Sequence, residues 1–172
     1  FLCVTLIMNA QVFSPPELLT LPTYGAGRVM FTNIGGAGYQ DIMVSDLLGD
    51  RLVWYTGDGE GSFLDQEFVQ LESGGIPQFA VGDMDGDGQT DIVVFNPEDG
   101  LLRLFKRIDL FTFAAEEIIA DIEYFEQFAI QDMNGDGHLD IVILDSYGLY
   151  FLPNLGNGTF GIPLGIVAGM NI

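Results

Sequence analysis

The feature that most constrains this chain is a nine-residue acidic loop motif that recurs at a nearly constant distance. Its most complete copy, residues 83–91, has Asp at positions 1, 3, 5 and 9 and Gly at positions 4 and 6. A second copy covers 132–140, and a degenerate copy covers 33–41, so the starts are 50 and 49 residues apart. A repeat period near ~50 residues is typical of stacked β units or propeller blades.

The spacing of the acids in this motif points to a divalent cation. Asp side chains at alternate positions of a tight loop can converge, and their oxygens suit a hard cation such as Ca²⁺. Glycine permits the positive φ angles of such a wrap. The alternative is an Asx-Gly turn without metal, but four clustered carboxylates without a cation would repel one another. The two full loops therefore predict two calcium sites, and the degenerate loop, with Gly35 and Ala37 at positions 3 and 5, predicts none.

The residues after each full loop exclude the best-known helical relatives of this motif. The runs 92–95 and 141–144 consist of β-branched, leucine and aromatic residues, which favour a strand. An EF-hand also requires Glu at position 12 of its loop. That position holds Val94 in one loop and Ile143 in the other, so an EF-hand is excluded.

Short strands separated by turn chemistry predict an all-β protein. We expect four antiparallel strands in each of about three repeats, which is the make-up of a propeller blade, and an incomplete propeller overall. Residues 114–124 could be helical, but their register in the repeat favours a strand and a connector. The predicted strands are 17–21, 28–32, 41–45, 52–55, 68–71, 79–81, 91–95, 101–105, 116–120, 128–130, 140–144 and 149–152, with one more outer strand within 161–172.

Charge and composition exclude several classes of function. Five Lys and Arg against 25 Asp and Glu give a net charge of −20, whereas nucleic acids and anionic membranes bind basic patches. One cysteine and one histidine cannot build an internal disulfide or a thiol or imidazole zinc site. A Ser-His-Asp triad would have to use His138, which lies inside a metal-type loop. We therefore expect no enzyme activity in this chain.

Residues 1–10 are almost wholly apolar and too short to span a bilayer. We interpret them as the remnant of a secretory signal peptide that ends at Ala10. The remaining residues, 11–172, would form the propeller fragment, and the protein would be secreted or held at the cell surface, without membrane insertion. The alternative is that residues 1–10 form a strand of a preceding blade.

Two kinds of segment resemble a known family. Residues 83–95 and 132–144 are similar to FG-GAP repeats, also described as VCBS repeats, of integrin alpha subunits and many bacterial secreted proteins. The strand and glycine-rich hairpin segments 53–63 and 150–160 look like the part of that repeat that precedes the next blade. The leader is similar to those of secreted Bacteroidetes proteins.

The resemblance implies a β-propeller with calcium in the loop that joins the first two strands of a blade. In the degenerate loop only Asn33 and Asp41 match ligand positions, so we expect no third ion. Gln89 and His138 would contribute their backbone carbonyls. Carried over by position, the ligands are Asp83, Asp85, Asp87, Gln89 and Asp91 in one loop, and Asp132, Asn134, Asp136, His138 and Asp140 in the other.

The function that the resemblance implies is binding or adhesion to an extracellular protein or glycan, with structural calcium. The alternative is an accessory propeller of a larger extracellular enzyme whose catalytic domain lies outside this chain. A further question concerns the strand aromatic residues, which could form a sugar-binding platform or pack between blades, the commoner role. These residues are Trp54, Tyr55, Phe105, Tyr150 and Phe151.

Overall fold

The structure, a computed structural model, describes residues 26–36, 38–46, 50–71, 77–110 and 112–168. The leader at 1–10 and the strand predicted at 17–21 lie outside the described residues. Every regular element in the described part is a β-strand. Within these ranges, no helix has the length and apolar character that crossing a membrane requires.

The described residues form fourteen strands: β1 (Ala26–Thr32), β2 (Asp41–Asp46), β3 (Arg51–Gly57), β4 (Phe63–Gln70), β5 (Gln78–Gly82), β6 (Asp91–Asn96), β7 (Leu101–Phe105), β8 (Arg107–Asp109), β9 (Thr112–Phe113), β10 (Glu117–Asp121), β11 (Phe125–Gln131), β12 (Asp140–Asp145), β13 (Gly148–Leu152) and β14 (Leu164–Ala168). Twelve of them form three four-stranded antiparallel sheets, one for each repeat. In blade 1 the order is β1-β2-β3-β4, in blade 2 it is β5-β6-β7-β10, and in blade 3 it is β11-β12-β13-β14. The remaining pair, β8 and β9, forms a small hairpin between β7 and β10.

The period-two alternation of β-strands explains how blade 2 packs on both neighbours. Successive side chains of β6 point to opposite faces. Ile92 and Val94 enter a buried cluster with Trp54 of blade 1, whereas Val93 and Phe95 enter a second cluster with residues of blade 3. All six residues of β6 are buried. An uninterrupted apolar run after the acidic loop is therefore what a central strand between two sheet-to-sheet interfaces requires.

The first strands of blades 2 and 3 approach each other closely where the acidic loops begin. A Cβ at Gly82, the last residue of β5, would lie 2.6 Å from Leu139 Cδ1 and 2.8 Å from Ile130 Cδ1. A larger side chain would require the ends of the Leu139 and Ile130 side chains to shift. Glycine immediately before the loop thus allows close packing of side chains at this junction.

The predicted all-β class and the four-stranded blades of an incomplete propeller are confirmed. Residues 117–121, which lie within the segment 114–124 that could have been helical, form strand β10. The β8–β9 hairpin, which lies between β7 and β10, has strands of only three and two residues. In blade 3 the same place in the repeat holds a single bridge between Asn154 and Phe160.

Candidate metal centre

Each of the three acidic loops joins the first strand of a blade to the second. The loops follow Thr32, Gly82 and Gln131, and each ends on the aspartate that begins the next strand. This is the placement that the resemblance implied. All three loops therefore occupy the same end of their blades.

The last aspartate of each loop is buried and fully engaged in hydrogen bonds. Asp41, Asp91 and Asp140 are at most 2% exposed. One carboxylate oxygen accepts an amide hydrogen from the start of the same loop, and the other accepts one from the end of the third strand or just after it. The donors are Gly35 and Gly57 for Asp41, Met84 and Arg107 for Asp91, and Met133 and Asn154 for Asp140, at 2.6–2.9 Å. This residue closes the loop even where other ligand positions are lost.

The surroundings of Asp91 act on its pKa in both directions. Burial raises the pKa of this carboxyl, and the amide hydrogen bonds from Arg107 and Met84 oppose that effect. The negative charges of Asp85 and Asp87 raise it further. A cation in the loop would offset both the burial and the repulsion.

In loop 83–91 three carboxylates converge. Ligand oxygens of Asp83, Asp85 and Asp91 all lie within 4.8 Å of one another. Ca²⁺ binds oxygen at about 2.3–2.6 Å, so two ligands of one ion lie at most about 5 Å apart. The donor set of this loop therefore fits calcium.

The amide groups of the same loop hold Asp83 in place. Its two oxygens accept hydrogen bonds from Gly86 N at 2.7 Å and Gly88 N at 2.9 Å. Both glycines have positive φ, 81° and 85°, a conformation that other residues adopt only with strain. The glycine positions in the motif thus serve to turn amides toward the first aspartate.

Asp87 lies beside this cluster but is not one of its three members. Its oxygens accept hydrogen bonds from the Gln89 amide at 2.7 Å and the Gln89 side chain at 2.9 Å. These bonds lower the pKa of Asp87. Asp87 therefore keeps its negative charge next to the cluster, and its role as a ligand, like that of the Gln89 carbonyl, stays a prediction.

Loop 132–140 repeats this backbone arrangement, and among its four side-chain ligand positions only one differs. Asp132 accepts hydrogen bonds from Gly135 N at 2.7 Å and Gly137 N at 3.0 Å. Position 3 is Asn134, whose side-chain amide donates to Asp136 at 2.9 Å, and this loop has no group of three converging carboxylates. An asparagine oxygen is also a calcium ligand, so the loop remains a candidate with one fewer negative charge.

His138 and Asp136 are linked through the backbone of this loop. The His138 amide donates to Asp136 at 2.8 Å, and this bond lowers the pKa of Asp136. The imidazole packs against the hairpin of its own blade, because a Cβ at Gly156 would lie 2.5 Å from His138 Nε2. Only the carbonyl of His138 stays a predicted ligand.

The degenerate loop has a poor donor set. Asn33 Oδ1 accepts a long bond from Gly38 N at 3.3 Å, and positions 3 and 5 hold Gly35 and Ala37, which have no ligand oxygen in their side chains. Gly35 lies where a third ligand side chain would be needed, and a Cβ there would lie 3.2 Å from Asp41 Oδ2. The residues of this loop do not fit a calcium ion.

Two residues that the sequence did not single out connect the loops of blades 1 and 2 to the following blade. The Arg107 guanidinium donates to the carbonyl of Ile34 in the degenerate loop. In the next junction, Asn154 Nδ2 donates to the carbonyl of Met84 at 2.7 Å. Ile34 and Met84 both hold position 2 of their loops. The two donors hold equivalent places after the third strand, but their side chains differ, so no sequence pattern could reveal them.

The strand aromatic residues pack between and within blades. Trp54 and Phe105 lie in the cluster between blades 1 and 2, and Tyr55 lies in a cluster with other residues of blade 1. All three are at most 6% exposed. A sugar-binding platform made from these three is therefore wrong. The exposed aromatic residues of the described chain are others, namely Phe31, Tyr39, Phe68, Tyr124 and Tyr147.

Comparisons with known proteins agree with this architecture. Residues 34–94 match the sequence model of a family described as the FG-GAP-like repeat. The match begins in the degenerate loop and includes the whole of loop 83–91. No curated protein is significantly similar to the chain.

One solved structure has a similar fold at low sequence identity. It is a lectin of Agrocybe aegerita, determined for its specific recognition of non-reducing terminal N-acetylglucosamine, with 19% identity and a TM-score of 0.65. The alignment covers 82% of this chain and 38% of the lectin chain, so the chain spans well under half of the lectin's length. These findings show that residues 34–94 carry an FG-GAP-like repeat and that the described chain folds as successive four-stranded blades.

Proposed function

We propose that this chain is a secreted, calcium-stabilised β-propeller module that binds an extracellular macromolecule or glycan. The observation that carries the calcium proposal is the convergence of Asp83, Asp85 and Asp91 within 4.8 Å. Two FG-GAP-type loops and a net charge of −20 support it, because bound cations would offset the local repulsion.

Calcium in these loops is proposed to be structural. The loops connect strands, and their ordered backbone depends on carboxylates that repel one another when no cation is present. Weak calcium sites in extracellular modules have dissociation constants of about 10⁻⁴–10⁻³ M, which suits a calcium-rich exterior better than the cytosol. This supports a secreted or cell-surface location.

The binding role receives support from the lectin with a similar fold, whose reported ligand is a terminal sugar. We propose that the chain itself is non-catalytic, since its clustered carboxylates are assigned to metal. The second candidate, an accessory propeller of a larger extracellular enzyme, would use the same binding chemistry with catalysis on another domain.

Calorimetric titration of the 172-residue protein with Ca²⁺ tests the metal assignment. We expect two sites, with weaker binding of Mg²⁺, because its small octahedral shell suits this wrap poorly. Asp85→Ala and Asp136→Ala should each remove one site, and the double variant should remove both. Unchanged calcium uptake in the double variant would overturn the proposal.

A matched control is Asp58→Ala. Asp58 also accepts backbone hydrogen bonds, from Glu60 N at 2.8 Å and Ser62 N at 3.0 Å, and these lower its pKa. It lies in the glycine-rich hairpin of blade 1, outside the acidic loops. This variant should retain both sites, which separates loss of metal ligands from loss of an aspartate-stabilised turn.

A further inference from the structure

A cavity of about 400 Å³ opens between blades 2 and 3 at the end of the strands opposite the acidic loops. It lies beside the turn after β6 and the connection from β10 to β11. Its size falls in the usual range of small-molecule sites, about 300–1,000 Å³. The aromatic residues Phe95, Tyr124 and Phe125 line it together with Gln78 and Glu126.

The aromatic wall of this cavity is exposed and held in a strained conformation. Tyr124 is 57% exposed and has φ of 57°, which is rare for a bulky residue and is found preferentially at functional positions. Its carbonyl accepts a hydrogen bond from Ser146 N at 3.1 Å. The ring of Tyr147, 66% exposed, meets it edge to face with centroids 5.5 Å apart. Tyr124, from the β10–β11 connection, and Tyr147, from the β12–β13 connection, thus form one exposed aromatic pair.

A rigid aromatic base lies next to that surface. Phe125 follows Tyr124 in the chain and stacks on Phe95 of blade 2, with ring centroids 3.5 Å apart and planes 19° from parallel. Phe95 is 3% exposed and belongs to the cluster between the two blades. The surface therefore rests on the packed core, which reduces the entropy that a ligand must remove on binding.

The polar groups of the cavity offer hydrogen-bond acceptors. Gln78 Nε2 donates to the carbonyl of Glu126 at 2.9 Å, and this bond orients the amide. Among the described residues, the Oε1 atom of Gln78 is buried and finds no hydrogen-bond partner, which is costly until a donor reaches it. A ligand hydroxyl or amide N–H that enters the cavity would supply that donor.

The charge of the lining selects against ionic ligands. No Lys or Arg is among the described residues that line the cavity, so an anionic sugar or a phosphate finds no counter-ion. A basic peptide would require carboxylates placed inside, but the one carboxylate of the lining belongs to Glu126, an exposed residue. Aromatic faces with neutral acceptors suit a pyranose ring, which presents apolar C–H groups on one face and hydroxyls at its edge.

From these contacts we infer that the cavity between blades 2 and 3 binds the terminal residue of a neutral glycan. The ring face of Tyr124 provides the stacking surface, Tyr147 supports that ring edge to face from outside the cavity lining, and Gln78 Oε1 accepts a hydrogen bond from the sugar. This inference rests on the proposed binding function and gives it a ligand class and a site. The site is at the opposite end of the blades from the acidic loops, so calcium would act on it only through the fold.

The test is titration of the 172-residue protein, in excess Ca²⁺, with methyl glycosides of N-acetylglucosamine, galactose, glucose and mannose, followed by calorimetry and ligand-observed NMR. At least one glycoside should bind the unchanged protein. Tyr124→Asn removes the ring but tolerates positive φ, and it should weaken binding by about tenfold or more. Tyr124→Phe should bind within about twofold of the unchanged protein, because the stacking face remains. Gln78→Met should also weaken binding, because it removes the acceptor.

A control for the ring is Tyr39→Asn, which makes the same change at a tyrosine that is 48% exposed in the degenerate loop. It should bind the glycoside unchanged. Calcium titration of every variant reports whether the loops are intact. If Tyr124→Asn and Gln78→Met bind the glycoside as well as the unchanged protein, the cavity is not the site, although the proposed binding function stands.

Two other outcomes overturn the inference. The first is that none of the glycosides binds at concentrations up to about 10 mM while calcium uptake is normal. The second is that a short basic peptide, such as tetralysine, binds in a manner that depends on Tyr124 and the glycosides do not. If the unchanged protein binds no calcium, that result would instead contradict the proposed function itself.

Discussion

The junction between blades 1 and 2 and the junction between blades 2 and 3 share one hydrogen bond but differ in its donor. At the first, the Arg107 guanidinium donates to the carbonyl of Ile34, and at the second the Asn154 amide donates to the carbonyl of Met84. Arg107 reaches a loop whose residues do not fit calcium. Asn154 reaches the loop in which three carboxylates converge.

The environment of Arg107 shows what the difference means. Its guanidinium also donates to the carbonyls of Leu110 at 2.7 Å and Asp109 at 3.0 Å, and the residue is 7% exposed. Burial lowers the pKa of Arg107, and the negative charges of Asp109, Asp41, Asp87 and Asp91 oppose that effect.

Two features of a junction can therefore be distinguished, namely the hydrogen-bond acceptor and the source of positive charge. The acceptor, a carbonyl at position 2 of the loop, is the same at both. The positive charge comes from a side chain at the first junction, and we expect it to come from calcium at the second, where the linking residue is neutral. The first junction should therefore be independent of metal, and the second should not.

Chelation should have the largest effect and should distinguish the loops directly. Ions that bind only the folded state stabilise it by about 2.7 kcal/mol per site at a hundredfold excess over the dissociation constant, so removing two should cost about 5 kcal/mol. Amide hydrogen exchange should accelerate in 83–91 and 132–140. It should stay nearly constant in the described residues of loop 33–41. Equal acceleration in all three loops would erase the distinction.

Replacing the last aspartate of a loop should have the next largest effect, and the effect should be the same in both kinds of loop. Asp41→Ala and Asp91→Ala each leave two amides without their carboxylate, at about 1–3 kcal/mol for each buried group. Denaturant unfolding in a chelator should show losses of about 2–6 kcal/mol for both variants.

The control for this experiment is Asp83→Ala, which also frees two amides, of Gly86 and Gly88. These amides are in an exposed part of the loop where water can replace the carboxylate, so the loss in chelator should be smaller. Should Asp91→Ala destabilise the protein only when calcium is present, its role would be that of a ligand and not of a loop closure.

Replacing Arg107 or Asn154, the residues that link the blades, should have an intermediate effect on the free energy of unfolding. Arg107→Met and Asn154→Ala should each cost about 1–3 kcal/mol, because carbonyls at the junction lose their donors. Arg107→Lys should restore little, because an ammonium cannot reach several carbonyls as a planar guanidinium does. Arg107→Met should keep a clear cost when calcium is removed by chelator, although Asp87 and Asp91 of the calcium loop also act on this guanidinium. A cost that disappears in chelator would contradict this role of the side chain at the first junction.

The smallest effect should come from Lys106, whose ammonium pairs with Glu117 at 3.1 Å. Lys106 also lies against the blade 3 hairpin, because a Cβ at Gly158 would be 2.5 Å from its Cε. Exposed ion pairs contribute about 0–1 kcal/mol, so Lys106→Met should change the free energy of unfolding by about 0.5 kcal/mol or less. A larger loss would mean that side-chain charge matters at the second junction as well.

Much of the local structure follows from residue order alone. Two glycines between aspartates require a turn with positive φ, and an apolar β-branched run after the loop requires a buried strand, so the positions of β6 and β12 were predictable. The 49–50-residue period then implied repeated blades, because each sheet has faces that only a neighbouring sheet can cover. The acidic spacing likewise predicted which side chains converge at 83–91, with the exception of Asp87, which is not a member of the cluster.

What tertiary structure decided is which side chains meet across blades. Arg107 and Ile34 are 73 residues apart, and Asn154 and Met84 are 70 apart. Their contact depends on how one sheet is placed on the next, which no local pattern specifies. The same is true of the cavity beside Tyr124, where the β10–β11 and β12–β13 connections bring two tyrosines together. The repeat period, the loop turns and the strands are set by short-range sterics and burial. The hydrogen bonds between blades and the cavity beside Tyr124 arise only when two blades pack.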